Sequence, residues 1–162
     1  ITMATVTKKF LGQERSHTGV FGNNWGQVYS FETNASGVFV NSSLSTAVAI
    51  ADVVRFGVIP GGVTLTDALV LISDAFASST TYKLGFQYVD GVDSTSVPQD
   101  DDYFIVAGTS SASLARTAAN NTAVRPVKLP KDAYLILTVA GANHSAVGIM
   151  DVVVRGLQGG QA

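Results

Sequence analysis

The sequence predicts an all-β protein, specifically a jelly-roll-like β-sandwich with an N-terminal arm. Nine or ten short apolar segments are separated by clusters of Gly, Pro, Asn, Asp and Ser. No segment keeps a helical apolar period for more than about two turns. A jelly roll of two four-stranded sheets matches this length and strand spacing. Because no fixed-period repeat divides the chain, we predict an arm at residues 1–24 and a single sandwich domain at residues 25–162.

The predicted arm is rich in Gly, Asn, Ser and Thr, and its few apolar residues follow neither strand nor helix period for long. The first strand follows in "QVYSFET", and "GVFVNS" predicts a second. Asn34, Ser36 and Gly37 lie between them and are typical of a tight turn. The simplest interpretation is a hairpin.

The middle of the chain alternates most clearly. β-Branched residues favour a strand over 51–59, and Pro60 to Gly62 end it because proline lacks a ladder donor. Leucines then mark a strand over 64–73, and "TYKLGFQYVD" places every second residue on one face. Five later segments predict the remaining strands: "YFIVAG", "SLARTA", "AVRPVKL", "AYLILTVAG" and "AVGIMDVVVRGL".

The composition indicates a protein that functions in an assembly. Charged residues are 14% of the chain, against about 25% in a typical soluble domain, while 46% are hydrophobic. Much of the polar surface must come from 15 Ser, 15 Thr, 7 Asn and 16 Gly, which permit close approach of another surface.

Several partner classes are disfavoured. A net charge of -2 with scattered Lys and Arg offers no footprint for a phosphate backbone, so we expect no nucleic-acid partner. The absence of cysteine excludes a disulfide framework and thiolate metal sites. The longest apolar runs are shorter than the roughly 20 residues of a membrane helix, and no basic start precedes an apolar signal core. We therefore expect neither membrane insertion nor export by the general pathway.

No residue pattern predicts catalysis or a cofactor. The two histidines, His17 and His144, lie far apart in the sequence, and there is no GxSxG elbow. The glycines lie in turns between strands and never open a helix, as a phosphate-binding loop requires. His144, in "GANHSA", is most simply a turn residue. We predict a non-enzymatic protein.

An acidic loop provides the only metal candidate. Five carboxylates fall between positions 90 and 102, and oxygen ligands on a loop suit Ca²⁺. Their spacing matches no EF-hand or repeat-type calcium motif, and turn chemistry with a solvated rim also explains them. The favoured interpretation is that no metal binds. The candidate ligands are Asp90, Asp93, Asp100, Asp101 and Asp102.

Aromatic residues support two alternatives. Trp25, Tyr29, Phe39 and Tyr103 could line a sugar-binding face, although most aromatics in a sandwich fill its core. Trp25 lies in "GNNWGQ", which resembles a loop, where a large ring needs a reason to be fixed. Trp25 is therefore a candidate anchor for a contact between subunits, and otherwise a lid on the core.

Residues 55–86 resemble structural proteins of tailed bacteriophages, most closely capsid decoration (cement) proteins. In these proteins a strand ending in Ile-Pro and small residues leads to another strand and an Asp-Ala-Phe turn. The matching residues are Phe56, Gly57, Ile59, Pro60, Gly61, Leu65, Asp67, Ala68, Asp74, Ala75, Phe76, Leu84 and Gly85.

The resemblance implies a homotrimer that binds the major capsid protein between capsomers. It also implies a location on the capsid surface of the virion, and in the host cytoplasm during assembly. Residues 4–24 are the candidate clamp, since an extended segment can add a strand to a neighbour's sheet. The candidate subunit or capsid contacts are Lys8, Phe10, Leu11 and Trp25. A tail or neck component and a carbohydrate-binding module are the alternatives.

Overall fold

The computed structural model describes residues 3–8 and 23–159. Regular secondary structure in this part of the chain is entirely β, and no helix in it is long and apolar enough to cross a membrane. The strands are β1 (Thr5–Thr7), β2 (Asn24–Thr33), β3 (Val53–Ile59), β4 (Val63–Asp74), β5 (Thr81–Tyr88), β6 (Asp100–Thr109), β7 (Ala115–Ala118), β8 (Val127–Lys128), β9 (Ala133–Ala140) and β10 (Gly148–Gln158).

These strands form two sheets that pack as a sandwich, which confirms the predicted fold class. The first sheet has the order β1-β3-β9-β5-β6, and the second has the order β2-β10-β4-β7, with β8 also paired to β4. Only β1 and β3 pair in parallel among the described strands. Most neighbouring strands are far apart in the sequence, and this order is compatible with the two Greek keys of a jelly roll.

The core lies between the sheets and follows from the alternation of apolar residues. In β2 every second side chain from Trp25 to Thr33 is buried. Phe31 packs edge-on against Phe56 of the opposite sheet, with ring centroids 5.9 Å apart, and the Tyr29 hydroxyl donates a hydrogen bond of 3.0 Å to the Val58 carbonyl. Each fully buried ring contributes about 1.5–3 kcal/mol by leaving water, and these contacts join the two layers.

Two predicted strands differ from the structure. Residues 34–37 form the predicted turn. The predicted strand over 37–42 makes only isolated bridges, one between Thr33 and Phe39, because Gly37 and Asn41 adopt positive φ angles of 74° and 57° that interrupt a ladder. "AVRPVKL" contributes only the two-residue β8, since Pro126 immediately before it has no N–H to donate.

The beginning of the predicted arm lies in the first sheet. β1 pairs with β3, and Val6 is fully buried. The buried carboxylate of Asp52 accepts hydrogen bonds from the backbone N–H groups of Ala4 (3.0 Å) and Ala49 (2.9 Å), which fastens this segment to a turn. Residues 9–22 lie outside the described part, so the arm as a whole stays a prediction.

Candidate functional site

His144 lies in a loop, in agreement with the turn that the sequence predicts, but it is buried. It lies in the loop between β9 and β10, but its side chain is 2% exposed and packs against the rings of Phe76 (4.7 Å between centroids) and Phe31 (5.6 Å). Its Nδ1 has no hydrogen-bond partner in the described part of the chain. Desolvation lowers the pKa of His144 to about 4, so the ring is neutral at neutral pH. His17 lies outside the described residues.

The five loop carboxylates do not converge. Asp90 forms an ion pair with the Lys131 ammonium at 2.6 Å, which lowers the pKa of the Asp90 carboxyl, chiefly through this hydrogen bond. Asp93 Oδ1 accepts hydrogen bonds of 2.7 Å from the backbone N–H groups of Ser94 and Gln99. Both side chains therefore serve the conformation of the loop.

The other three carboxylates, Asp100, Asp101 and Asp102, have oxygens within 4.8 Å of one another, the geometry that oxygen ligands to a cation require. The Lys83 ammonium already approaches Asp101 (3.4 Å) and Asp102 (3.5 Å). Partial burial, followed by the hydrogen bond and the charge of Asp102, raises the pKa of Asp100. The cluster is thus partly neutralised within the chain. The expectation that no metal binds there stays a prediction.

The aromatic residues considered for a sugar platform are in the core. Trp25 is 9% exposed within strand β2, which corrects its predicted loop position. Tyr29 and Phe39 are buried, and the buried Tyr103 donates a hydrogen bond from its hydroxyl to the Arg125 carbonyl at 2.8 Å. These four rings form no exposed planar face.

A cleft of about 310 Å³ opens beside the start of β6. Its walls are mainly apolar, from Phe86, Val97, Val124 and Val127, and Asp100 is its one carboxylate. No histidine or lysine lines it, so it does not bring together the acid and base that hydrolysis would need.

Of the predicted contact residues outside the sandwich, only Lys8 is described. It is half-buried, and it forms an isolated bridge with Ser42. Phe10 and Leu11 lie outside the described residues. The contact roles of these three residues and of Trp25 stay predictions.

The outer face of the first sheet is covered by polar interactions within the chain. The Arg55 guanidinium lies 4.6 Å from the centre of the Tyr134 ring and donates a hydrogen bond of 3.3 Å to Gln87 Oε1. Beneath this arrangement Ile136 is only 5% exposed, although it points away from the core. On this face the long side chain of Arg55 shields apolar surface.

The outer face of the second sheet is more apolar. Val28 pairs in register with Val153, Val153 with Leu69, and Leu69 with Ala118, so these four side chains form one line across four strands. We call this line the apolar row. Val28 is 53% exposed, and the row is a surface feature that the sequence analysis missed. The run "VVV" in β10 was its signal, because a strand with apolar residues on both faces is typically covered on both.

No protein-family model and no curated protein matches the chain. Solved structures do match. The chain superposes on a chain from the capsid of Ralstonia phage GP4 with a TM-score of 0.64 and 14% identity, covering 98% of this chain and 100% of that one.

Two further chains give the same result. One is from a cyanophage Pam1 capsid asymmetric unit, with a TM-score of 0.52 and 14% identity over 91% of this chain and 95% of that one. The other is from the acid-stable capsid of the Helicobacter pylori bacteriophage KHP30, with a TM-score of 0.50 and 14% identity over 86% and 92%. At this identity the matches establish a shared β-sandwich fold.

Proposed function

We propose that this chain is a non-enzymatic virion structural protein that decorates and stabilises a bacteriophage capsid, as a homotrimer that binds the major capsid protein between capsomers. The observation that carries the proposal is the superposition on a phage-capsid chain over 98% of one chain and 100% of the other. The likeness is therefore not confined to one part of either chain.

The surface supports the same proposal. No histidine or lysine lines the cleft, and the aromatic rings that a glycan would stack on are buried. The outer face of the second sheet carries the apolar row, which suits contact with another protein. Weak contacts of this kind resist internal pressure when many copies act together.

The clamp is best assigned to the part of the arm beyond Lys8. Residues 5–7 already pair with β3 of the same subunit, so they are committed to their own sheet. Phe10 and Leu11 are then the apolar candidates for a capsid contact. A deletion of residues 4–24 would remove buried Val6 and the start of β2 together with the arm, so point substitutions are the better test.

The test is co-sedimentation with capsids of the phage that encodes the chain, prepared without this protein. We expect saturable binding of the wild type and at least about tenfold weaker binding of Phe10→Ala/Leu11→Ala. The matched control is Leu114→Ala, which removes an 87% exposed apolar side chain elsewhere. Thermal melting of each variant establishes that it is folded.

Other outcomes favour other functions. Binding to isolated tails but not to capsids would identify a tail or neck component. Retention on a glycan array without capsid binding would favour a carbohydrate-binding module. Light scattering gives the subunit count, since a trimer of 16.8 kDa chains has a mass of about 50 kDa.

A further inference from the structure

Further apolar side chains point outward near the apolar row. Leu71 lies two positions from Leu69 on β4, whereas Ile149 and the 45% exposed Leu157 lie on β10 beyond Asp151 and Arg155. A contiguous apolar patch with a polar border commonly marks a protein contact. Because its residues come from paired strands of one sheet, the strand register fixes their positions relative to one another.

Charged residues border the apolar row on both sides. Arg155 and Asp67 are register partners two positions from the row on one side. On the other side Asp151 pairs with Leu71, and Leu71 pairs with Arg116. Within the described residues none of these four charged side chains forms an ion pair, in contrast to Lys83 and Lys131 elsewhere.

This charge pattern is complementary to itself. Consider a two-fold axis that lies along the apolar row in the plane of the face. It places Val153 opposite Val153 of a second copy and exchanges the two borders, so that Arg155 of each copy faces Asp151 of the other. Asp67 then lies beside the second copy's Arg116.

We propose that the outer face of the second sheet binds the same face of a second copy of this chain, about a two-fold axis along the apolar row. Such a contact is isologous, so every favourable pair occurs twice. The strands of two packed sheets deviate by about 30° from alignment. Arg155 lies about 7 Å from the two-fold axis, so this deviation moves Arg155 and Asp151 of the second copy apart by roughly 3–4 Å. An arginine side chain is long enough to span that displacement.

The area of the face is sufficient. Four strands spaced about 4.8 Å apart, with a central strand of 11 residues, give roughly 600 Å² per copy and about 1,200 Å² in total, at the lower end of specific interfaces. We therefore expect a reversible association.

This inference goes beyond the proposed function and does not depend on it, because the contact forms in purified protein without capsids. Two-fold pairing also differs from the contact of the proposed trimer. Protein that uses both contacts forms assemblies of two or more trimers, of which a hexamer is the smallest, whereas protein that uses only the two-fold contact forms dimers. The measured mass of the assembly therefore shows which of the two contacts forms. The absence of one contact leaves the test of the other intact.

The test is a charge exchange, measured by sedimentation velocity over a range of protein concentrations. Arg155→Asp places two like charges opposite each other at both symmetric positions, and Asp151→Arg does the same with the opposite sign. We expect each single variant to raise the dissociation constant about tenfold or more, and Arg155→Asp/Asp151→Arg to restore it to within about threefold of the wild type. The double variant has the net charge of the wild type.

A second pair of variants tests the apolar row itself. Val153→Lys buries a charge at the centre of the contact and should abolish association. Val58→Lys, on the outer face of the first sheet, is the matched control and should leave association unchanged. Melting curves establish that both variants fold.

Four results would overturn the proposal: a wild type that stays a monomer or a trimer at every concentration, a double variant as weak as the single ones, association that Val153→Lys leaves intact, or single variants that lose capsid binding but keep self-association. The last would show that the face covers the capsid protein.

Discussion

The outer face of the first sheet carries its own polar cover, whereas the outer face of the second sheet leaves its charges without ion pairs and its apolar row in water. On the first face Arg55 contacts the Tyr134 ring and pairs in register with the buried Ile136, and Lys83 pairs with Asp101 and Asp102. On the second face Arg155 and Asp151 have no such partners within the described residues. The difference indicates that the chain completes one face alone and that another molecule completes the other.

A bulge in β6 accounts for much of this difference. Between the Leu84–Ile105 and Phe86–Asp100 pairs, β5 advances by two residues and β6 by five. The three additional residues turn the backbone of β6 over the outer side of β5 and carry the acidic cluster toward Lys83. A bulge re-aims side chains in this way at sheet edges.

The largest predicted effect concerns the glycine beneath this bulge. A Cβ at Gly85 would lie 2.0 Å from the Asp100 carbonyl oxygen, whereas a Cβ at Gly26, on the outer side of β2, would meet its nearest atom at 3.7 Å. We expect Gly85→Ala to lower the free energy of unfolding by more than about 3 kcal/mol, because a backbone group must move. Gly26→Ala should have little effect. Urea denaturation measures both, and equal effects would contradict the proposed covering of the first face.

The second prediction is that the stability of the fold in acid depends on His144, which is buried, and not on the carboxylates of the outer faces. His144 titrates near pH 4 in the folded protein and near 6.5 when unfolded, so the unfolded state binds more protons between these values. The free energy of unfolding should therefore fall by about 3 kcal/mol as the pH drops from about 6.5 to 4. Asp100 acts in the opposite direction, since its raised pKa favours the folded state on acidification.

Urea denaturation at several pH values tests this assignment. His144→Leu should remove most of the loss of stability between pH 6.5 and 4, because leucine does not titrate. His17→Gln is the matched control and should keep the loss. An unchanged pH dependence in His144→Leu would show that carboxylates on the faces cause the acid sensitivity.

Sequence reasoning predicted the sandwich because period-two alternation reports directly which side chains a sheet buries. "TYKLGFQYVD" shows this best, since Tyr82, Leu84, Phe86 and Tyr88 are all buried. It was wrong about "GVFVNS", where alternation continues but positive φ angles end the ladder. It also placed Trp25 in a loop, because the glycine and asparagines around the ring conceal the start of β2.

The surface features were harder to predict, because they depend on which strands are neighbours. Val28, Leu69 and Val153 lie up to 125 positions apart in the sequence and meet only through the register of three strands. Likewise, the five carboxylates lie close together in the sequence. In the structure, however, Asp90 pairs with Lys131 and lies outside the cluster around Asp101. Sequence proximity alone could not separate them.

The third prediction compares one arginine from each face. Arg55→Ala removes the contact with the Tyr134 ring, the hydrogen bond to Gln87 and the cover over Ile136, and should cost about 1–2 kcal/mol of stability. Arg155→Ala, measured in dilute protein, should change stability by less than about 0.5 kcal/mol, since no partner is lost within the chain. Thermal or urea unfolding gives both values. A larger cost for Arg155→Ala would mean that the second face is also stabilised from within.

The smallest predicted effect concerns calcium at the acidic cluster of the first face. Lys83 already neutralises part of the charge of Asp101 and Asp102, so we expect millimolar Ca²⁺ to leave the melting temperature of the wild type unchanged. An ion that bound with a dissociation constant at or below its concentration would add at least about 0.4 kcal/mol. Lys83→Met is the matched comparison, because it leaves the three carboxylates without the ammonium and should reveal a small stabilisation by Ca²⁺. A calcium-dependent increase in the wild type of the same size would show that a metal ion, and not Lys83, completes the polar cover of this face.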